Sequence, residues 1–117
     1  MKIVEKNVGE KIDYSVRGTK LNINDELILD LARYERDFDV HIDISEDWAE
    51  MLTMGLSDRY VAQIDIPARQ YNEIETHSEE EPEEGTAEGE NIILEAVPFS
   101  MANVTLTLWA IEKGGYR

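Results

Sequence analysis

From Phe38 to Ser45 the chain alternates apolar with polar residues, placing Phe38, Val40, Ile42 and Ile44 on one side and Asp39, His41, Asp43 and Ser45 on the other. A strand sends successive side chains to opposite faces of a sheet, whereas a helix would scatter these four apolar residues around its circumference. The pattern therefore predicts a half-buried strand. Further stretches read the same way: Ile3 to Lys6, Lys11 to Arg17, Lys20 to Ile23, Arg59 to Ile66, Gln70 to Thr76 and Ile92 to Val97. In residues 103 to 112, Val104, Leu106, Leu108 and Ala110 share one side, while Trp109 and Ile111 make the other partly apolar, as expected of a strand inside a sheet. Turn signals at Gly9, Gly18, Asn24-Asp25 and Gly55 separate these runs. Seven to nine short strands at such spacing predict an all-β, mainly antiparallel fold, either a β-sandwich or a small open barrel.

Residues 26 to 34 fit two patterns. Asn24 could cap a helix whose face is Leu27, Ile28, Leu31 and Tyr34, but Leu27, Leu29 and Leu31 also alternate. The strand is preferred, because a hairpin with residues 38 to 45 is a short connection. Keeping the leucines on the side of Val40, Ile42 and Ile44 sets Leu31 opposite Ile42 and Leu29 opposite Ile44, with Arg36-Asp37 as the loop. Asp47 to Met54 is read as a two-turn helix, with Ser45 as its cap, Trp48 and Leu52 on one face and Gly55 as the stop. Pro67 and Pro98 cannot donate to a ladder, so each marks an edge, a bulge or a strand end.

The length of 117 residues suits a single domain with a real core, without disulfide or metal support. The formal charge of -15 is unevenly spread: nine glutamates and no Lys or Arg fall between Glu73 and Glu90. Residues 77 to 90 are expected to form a mobile acidic loop, because like charges this dense favour an extended, solvated chain. Strand-like sequence resumes at Ile92, which makes the loop an insertion within the domain. The tail at 113 to 117 is expected to be frayed. The acidic excess disfavours direct nucleic-acid binding, which needs clustered Lys and Arg. No run approaches the length of a membrane-spanning helix, and the first residues lack a secretory pattern, so the expected location is the cytoplasm. The absence of cysteine removes thiolate chemistry and Cys-based metal sites.

Nucleophile elbows, phosphate-binding glycine loops, zinc-protease helices and dinucleotide fingerprints are all missing, so no cofactor is expected. The two histidines, His41 and His77, offer little for a catalytic triad, since His77 borders the acidic loop. The sharpest grouping lies on the polar side of the expected hairpin, where Asp30 would oppose Asp43 and Asp39 and His41 would share the face. Opposed carboxylates repel, and a divalent cation held by Asp30, Asp39, His41 and Asp43 would relieve that repulsion. The alternative is a solvated strand face on which Arg33, Arg36, Arg59 or Arg69 screens the carboxylates. His41, Asp43 and His77 also have the composition of a two-histidine, one-carboxylate site. Trp48, Met51, Leu52, Met54 and Leu56 form an apolar segment that would bind a partner if exposed, although such a segment more often covers the end of a sheet as core. Glu79, Glu80, Glu81, Glu83 and Glu84 could attract a basic partner, or simply aid solubility.

These residues point by elimination to a small acidic, non-enzymatic binding or accessory protein. A protein partner or self-association through a sheet edge is expected. Two alternatives are an acidic decoy that mimics nucleic acid, of phage or mobile-element type, and a metal-binding β protein using the Asp/His strand face.

Overall fold

A computed structural model describes residues 1–75 and 92–111. The expected acidic loop at 77 to 90 and the tail at 113 to 117 lie outside the described residues. The described chain is all-β and mainly antiparallel. In order it forms β1 (Lys2–Glu5), β2 (Tyr14–Arg17), β3 (Lys20–Ile23), β4 (Leu27–Asp30), β5 (Val40–Glu46), β6 (Leu52–Met54), β7 (Arg59–Ile66), β8 (Tyr71–Glu75), β9 (Ile92–Ala96) and β10 (Thr105–Leu108). Two 3₁₀ turns, Leu31–Tyr34 and Met101–Asn103, account for the helical residues.

The largest sheet has the order β1-β10-β7-β5-β6, and only β1 and β10 run parallel. Its register carries one apolar row across four strands, because Ile3 pairs with Leu106, Leu106 with Ile64, and Ile64 with Ile42. Ile42, Ile64 and Leu106 are buried. Register shifts between Ile44 and Ser45, so Val61 becomes an extra residue on β7 and its carbonyl accepts the Trp109 N–H at 3.1 Å. A second sheet, β2-β3-β4, contributes Leu21, Ile23 and Leu29, and the adjoining turn adds Leu31. Side chains from both sheets join in one buried cluster. At roughly 25 cal/mol per Å² of apolar surface removed from water, such a cluster is the main favourable contribution to folding. The third sheet is the hairpin β8-β9 alone.

Of the strand expected over residues 26 to 34, Leu27 to Asp30 is a strand, Leu31 to Tyr34 is a 3₁₀ turn instead, and the strand's partner differs from the expected one. β4 pairs with β3, setting Leu29 opposite Leu21, while β5 pairs with β6 and β7. A shorter connection decides this. Asn24 and Asp25 both take positive φ, which these two residue types tolerate well, and the Glu26 N–H donates to the Ile23 carbonyl at 3.0 Å. The following 3₁₀ turn then carries the chain away to the other sheet.

The two-turn helix expected at 47 to 54 is replaced by a tight loop and β6. The Asp47 carboxylate accepts the N–H groups of Ala49 and Met51 at 2.9 and 3.0 Å, and Glu50 adopts φ 62°, outside the helical region. Ser45 caps nothing; its hydroxyl donates to the Gly55 carbonyl. Pro67 and Pro98 mark strand ends, since β7 stops at Ile66 and β9 at Ala96.

Candidate functional site

Alternation on β5 and β7 turns His41, Asp43, Gln63 and Asp65 away from the core, and the register sets His41 opposite Asp65 and Asp43 opposite Gln63. The imidazole lies between two carboxylates, with Nδ1 2.6 Å from Asp65 Oδ1 and Nε2 2.8 Å from Asp43 Oδ1. Both ring nitrogens can donate only in the imidazolium form. The bond to Asp65, followed by that to Asp43, raises the His41 pKa above its ordinary value, and partial burial opposes this. Asp43 is held below the usual carboxylate range, chiefly by the Gln63 side-chain N–H at 3.0 Å. Gln63 in turn accepts the Trp109 indole N–H at 2.9 Å. The Trp109 ring stacks on Tyr60 at 5.3 Å between centroids, and the Lys6 ammonium lies 5.8 Å from its centre.

This strip has the composition expected of a reactive or metal site, but its donors are already committed. An imidazole bonded through both nitrogens presents no lone pair to a cation or a substrate proton. The four residues expected to share a metal are not gathered. Asp30 lies in the other sheet, accepting the Thr19 hydroxyl at 2.7 Å with Arg33 3.6 Å away, and Asp39 accepts the Ala68 N–H at 2.9 Å. Only His41 and Asp43 meet. The proposed opposition of Asp30 to Asp43 fails because β4 and β5 are not paired. Among the described residues, no group of three or more His, Asp and Glu is arranged to hold a metal ion. His77 lies outside the described residues, so the two-histidine site has no structural counterpart there.

Titration of His41 has a definite consequence for stability. Its raised folded-state pKa means that its contribution is complete below the ordinary value of 6.5 and is lost as pH rises through the folded value. Asp43, with a lowered pKa, contributes above 3.8 and loses its contribution as pH falls through its own folded value. Both effects are small, below about 1 kcal/mol, because water screens this partly exposed face. Two-dimensional NMR titration is expected to give His41 a midpoint above 6.5, shifted downward in Asp65→Asn; an unshifted midpoint in the wild type would contradict the geometry.

The second feature is apolar. All ten residues of β8 and β9 are exposed, although Tyr71, Ile74, Ile92, Ile93 and Leu94 are large and apolar. The ladder opposes Glu73 to Leu94, Ile74 to Ile93 and Glu75 to Ile92. One face therefore carries Ile92, Leu94 and Ala96 beside Tyr71 and the two glutamates, and the other carries Ile74, Ile93, Asn72 and Glu95. The root of the hairpin is fixed to the loop before β5. Arg69 reaches Glu35 at 3.3 Å and Asp37 at 3.2 Å, and the Tyr71 hydroxyl donates to Asp37 at 2.6 Å.

Trp48 and Met51 are not core, contrary to the usual behaviour of such a segment: they are 66% and 64% exposed. The Asp47 loop holds them outside the sheet, and only Leu52 packs partly against the core. Glu79, Glu80, Glu81, Glu83 and Glu84 lie outside the described residues. Gln63 and Asp65 were not singled out in the sequence; the β5-β7 register brings them to His41 and Asp43. Comparison with known protein families, with curated proteins and with solved structures returns no match. Among the described residues, no helix is long and apolar enough to cross a membrane.

Proposed function

We propose that this chain is a small acidic, non-enzymatic protein of the cytoplasm that works by binding other protein, as an accessory or assembly component. Its principal contact surface is the β8-β9 hairpin. One observation carries this reading: a two-stranded sheet, with both outer edges unpaired among the described residues, exposes five large apolar side chains. An isolated hairpin of this size is at best marginally stable in water, and contiguous exposed apolar side chains are characteristic of interaction sites. Trp48 and Met51, beside the sheet edge at β6, supply a smaller apolar surface of the same kind.

Affinity capture from the native host tests the reading, with the full chain as bait and an Ile93→Glu/Leu94→Glu form as control. Both positions are exposed, so the control is expected to fold with an unchanged urea midpoint. The expected result is a stoichiometric protein on the wild-type bait that is lost from the control. The same proteins at the same yield on both baits would overturn the assignment.

A further inference from the structure

The alternation and charge of the chain supply a candidate occupant for the hairpin. On β2, Tyr14 pairs with Ile23 and Val16 with Leu21, so Tyr14 and Val16 lie on the core side of their sheet. They nevertheless remain 39% and 43% exposed, because β2 is the edge of that sheet. Ser15 and Arg17 occupy its other side, with Lys20 directly opposite Arg17 on β3 and Asp30 opposite Lys20 on β4, which leaves Arg17 as the cation of the edge strand. Residues 14 to 23 include these two cations and no carboxylate. Neither cation forms a salt bridge among the described residues.

The hairpin has the complementary character. Its described residues contain Glu73, Glu75 and Glu95 and no cation. Resting on the binding role proposed above, we infer that β9 of one copy adds to the β2 edge of a second copy of this chain. Strand addition uses the main-chain hydrogen bonds that an edge leaves unmade, and alternating side chains then set the fit. Laid beside β2, the row Ile92, Leu94 and Ala96 extends the apolar rim formed by Tyr14 and Val16. Glu95 then falls on the side of Arg17 and Lys20. β8 fits less well in that position, because whichever face it presents to the rim includes Glu73 and Glu75 or leaves Ile74 as its one large apolar residue.

Each copy has one hairpin and one β2 edge, so the contact is head-to-tail. Such contacts close into a ring, of which a reciprocal two-fold dimer is the smallest, or continue as a filament. Opposite charges meeting at an exposed contact also make the association sensitive to salt.

Light scattering coupled to size exclusion tests this on the full chain, over a concentration series extending to the millimolar range. The wild type is expected to assemble. A hairpin form, Ile92→Glu/Leu94→Glu, and an edge form, Val16→Glu/Arg17→Glu, are each expected to be monomeric. Mixed together they should give a one-to-one dimer and nothing larger, since only one intact hairpin and one intact edge then remain to meet. Milder variants, Leu94→Ser and Arg17→Gln, should each weaken wild-type assembly by about tenfold if the stronger ones do not fold. A wild type that stays monomeric throughout would overturn the second copy as occupant, while hairpin-dependent capture of another protein would leave the binding role standing. Assembly that persists in either double variant, or a mixture that fails to dimerise, would equally overturn the head-to-tail contact.

Discussion

Ile64→Ala is expected to destabilise the protein by about 3–5 kcal/mol, seen as a lower urea midpoint with an unchanged slope. Ile64 is fully buried in β7 and sits in register between Ile42 and Leu106, themselves buried, so the lost side chain leaves a cavity walled by two strands. Sheet backbones on both sides restrain collapse into that space, which favours the upper part of the range. Total stabilities of single domains are about 5–15 kcal/mol, so a large fraction of the folded state's margin is at stake. Ile28→Ala is the matched control. Ile28 belongs to β4 but is exposed, and its truncation is expected to change stability by no more than about 0.5 kcal/mol. Equal losses at the two positions would contradict the placement of the core.

Arg59→Met is expected to be nearly as damaging, at about 2–4 kcal/mol. Glu46 is buried, and Arg59 directs Nε at 3.0 Å and Nη2 at 2.6 Å onto the same carboxylate oxygen, Oε1. The pair also occupies one rung of the β5-β7 ladder. Charge-assisted bonds of this length offset the cost of removing the carboxylate from water. Without the guanidinium, the Glu46 carboxylate loses both of these bonds in a poorly solvated place. The double variant Glu46→Leu/Arg59→Met removes both charges and is expected to recover most of the loss, because the penalty lies in the orphaned carboxylate. Chemical denaturation of the two single variants and the double variant measures the coupling. Additive losses would show that the two side chains act independently.

Much of the local geometry was legible in the sequence, whereas long-range pairing was not. Lys20–Ile23 and Arg59–Ile66 have the bounds that alternation predicts, and Leu27–Asp30 is a strand because Leu27 and Leu29 alternate. Alternation reports which side of a strand is apolar; it carries no information about which other strand lies beside it. Thus His41 and Asp43 were recognised as a polar pair, while Asp65, which lies 24 residues from His41 in sequence, needed the register of β5 against β7. The same limit produced the false opposition of Asp30 and Asp43. At 47 to 54 the error was local: apolar spacing suited a helix, but the Asp47 carboxylate offered the backbone a competing turn. Composition alone could not separate an exposed Trp48 or Leu94 from core residues, because burial depends on what covers the strand.

Residue-resolved hydrogen exchange is the most direct test of the central claim that the β8-β9 hairpin is a contact surface, unpaired in the free chain. It is measured once on the dilute protein and once on its isolated assembly or complex. The account predicts that amides from Ile92 to Ala96 exchange orders of magnitude faster than those from Val61 to Ile66 in the dilute protein, and that binding slows them sharply. Protection of β9 equal to that of β7 in the dilute protein, or exchange at β9 that binding leaves unchanged, would contradict it.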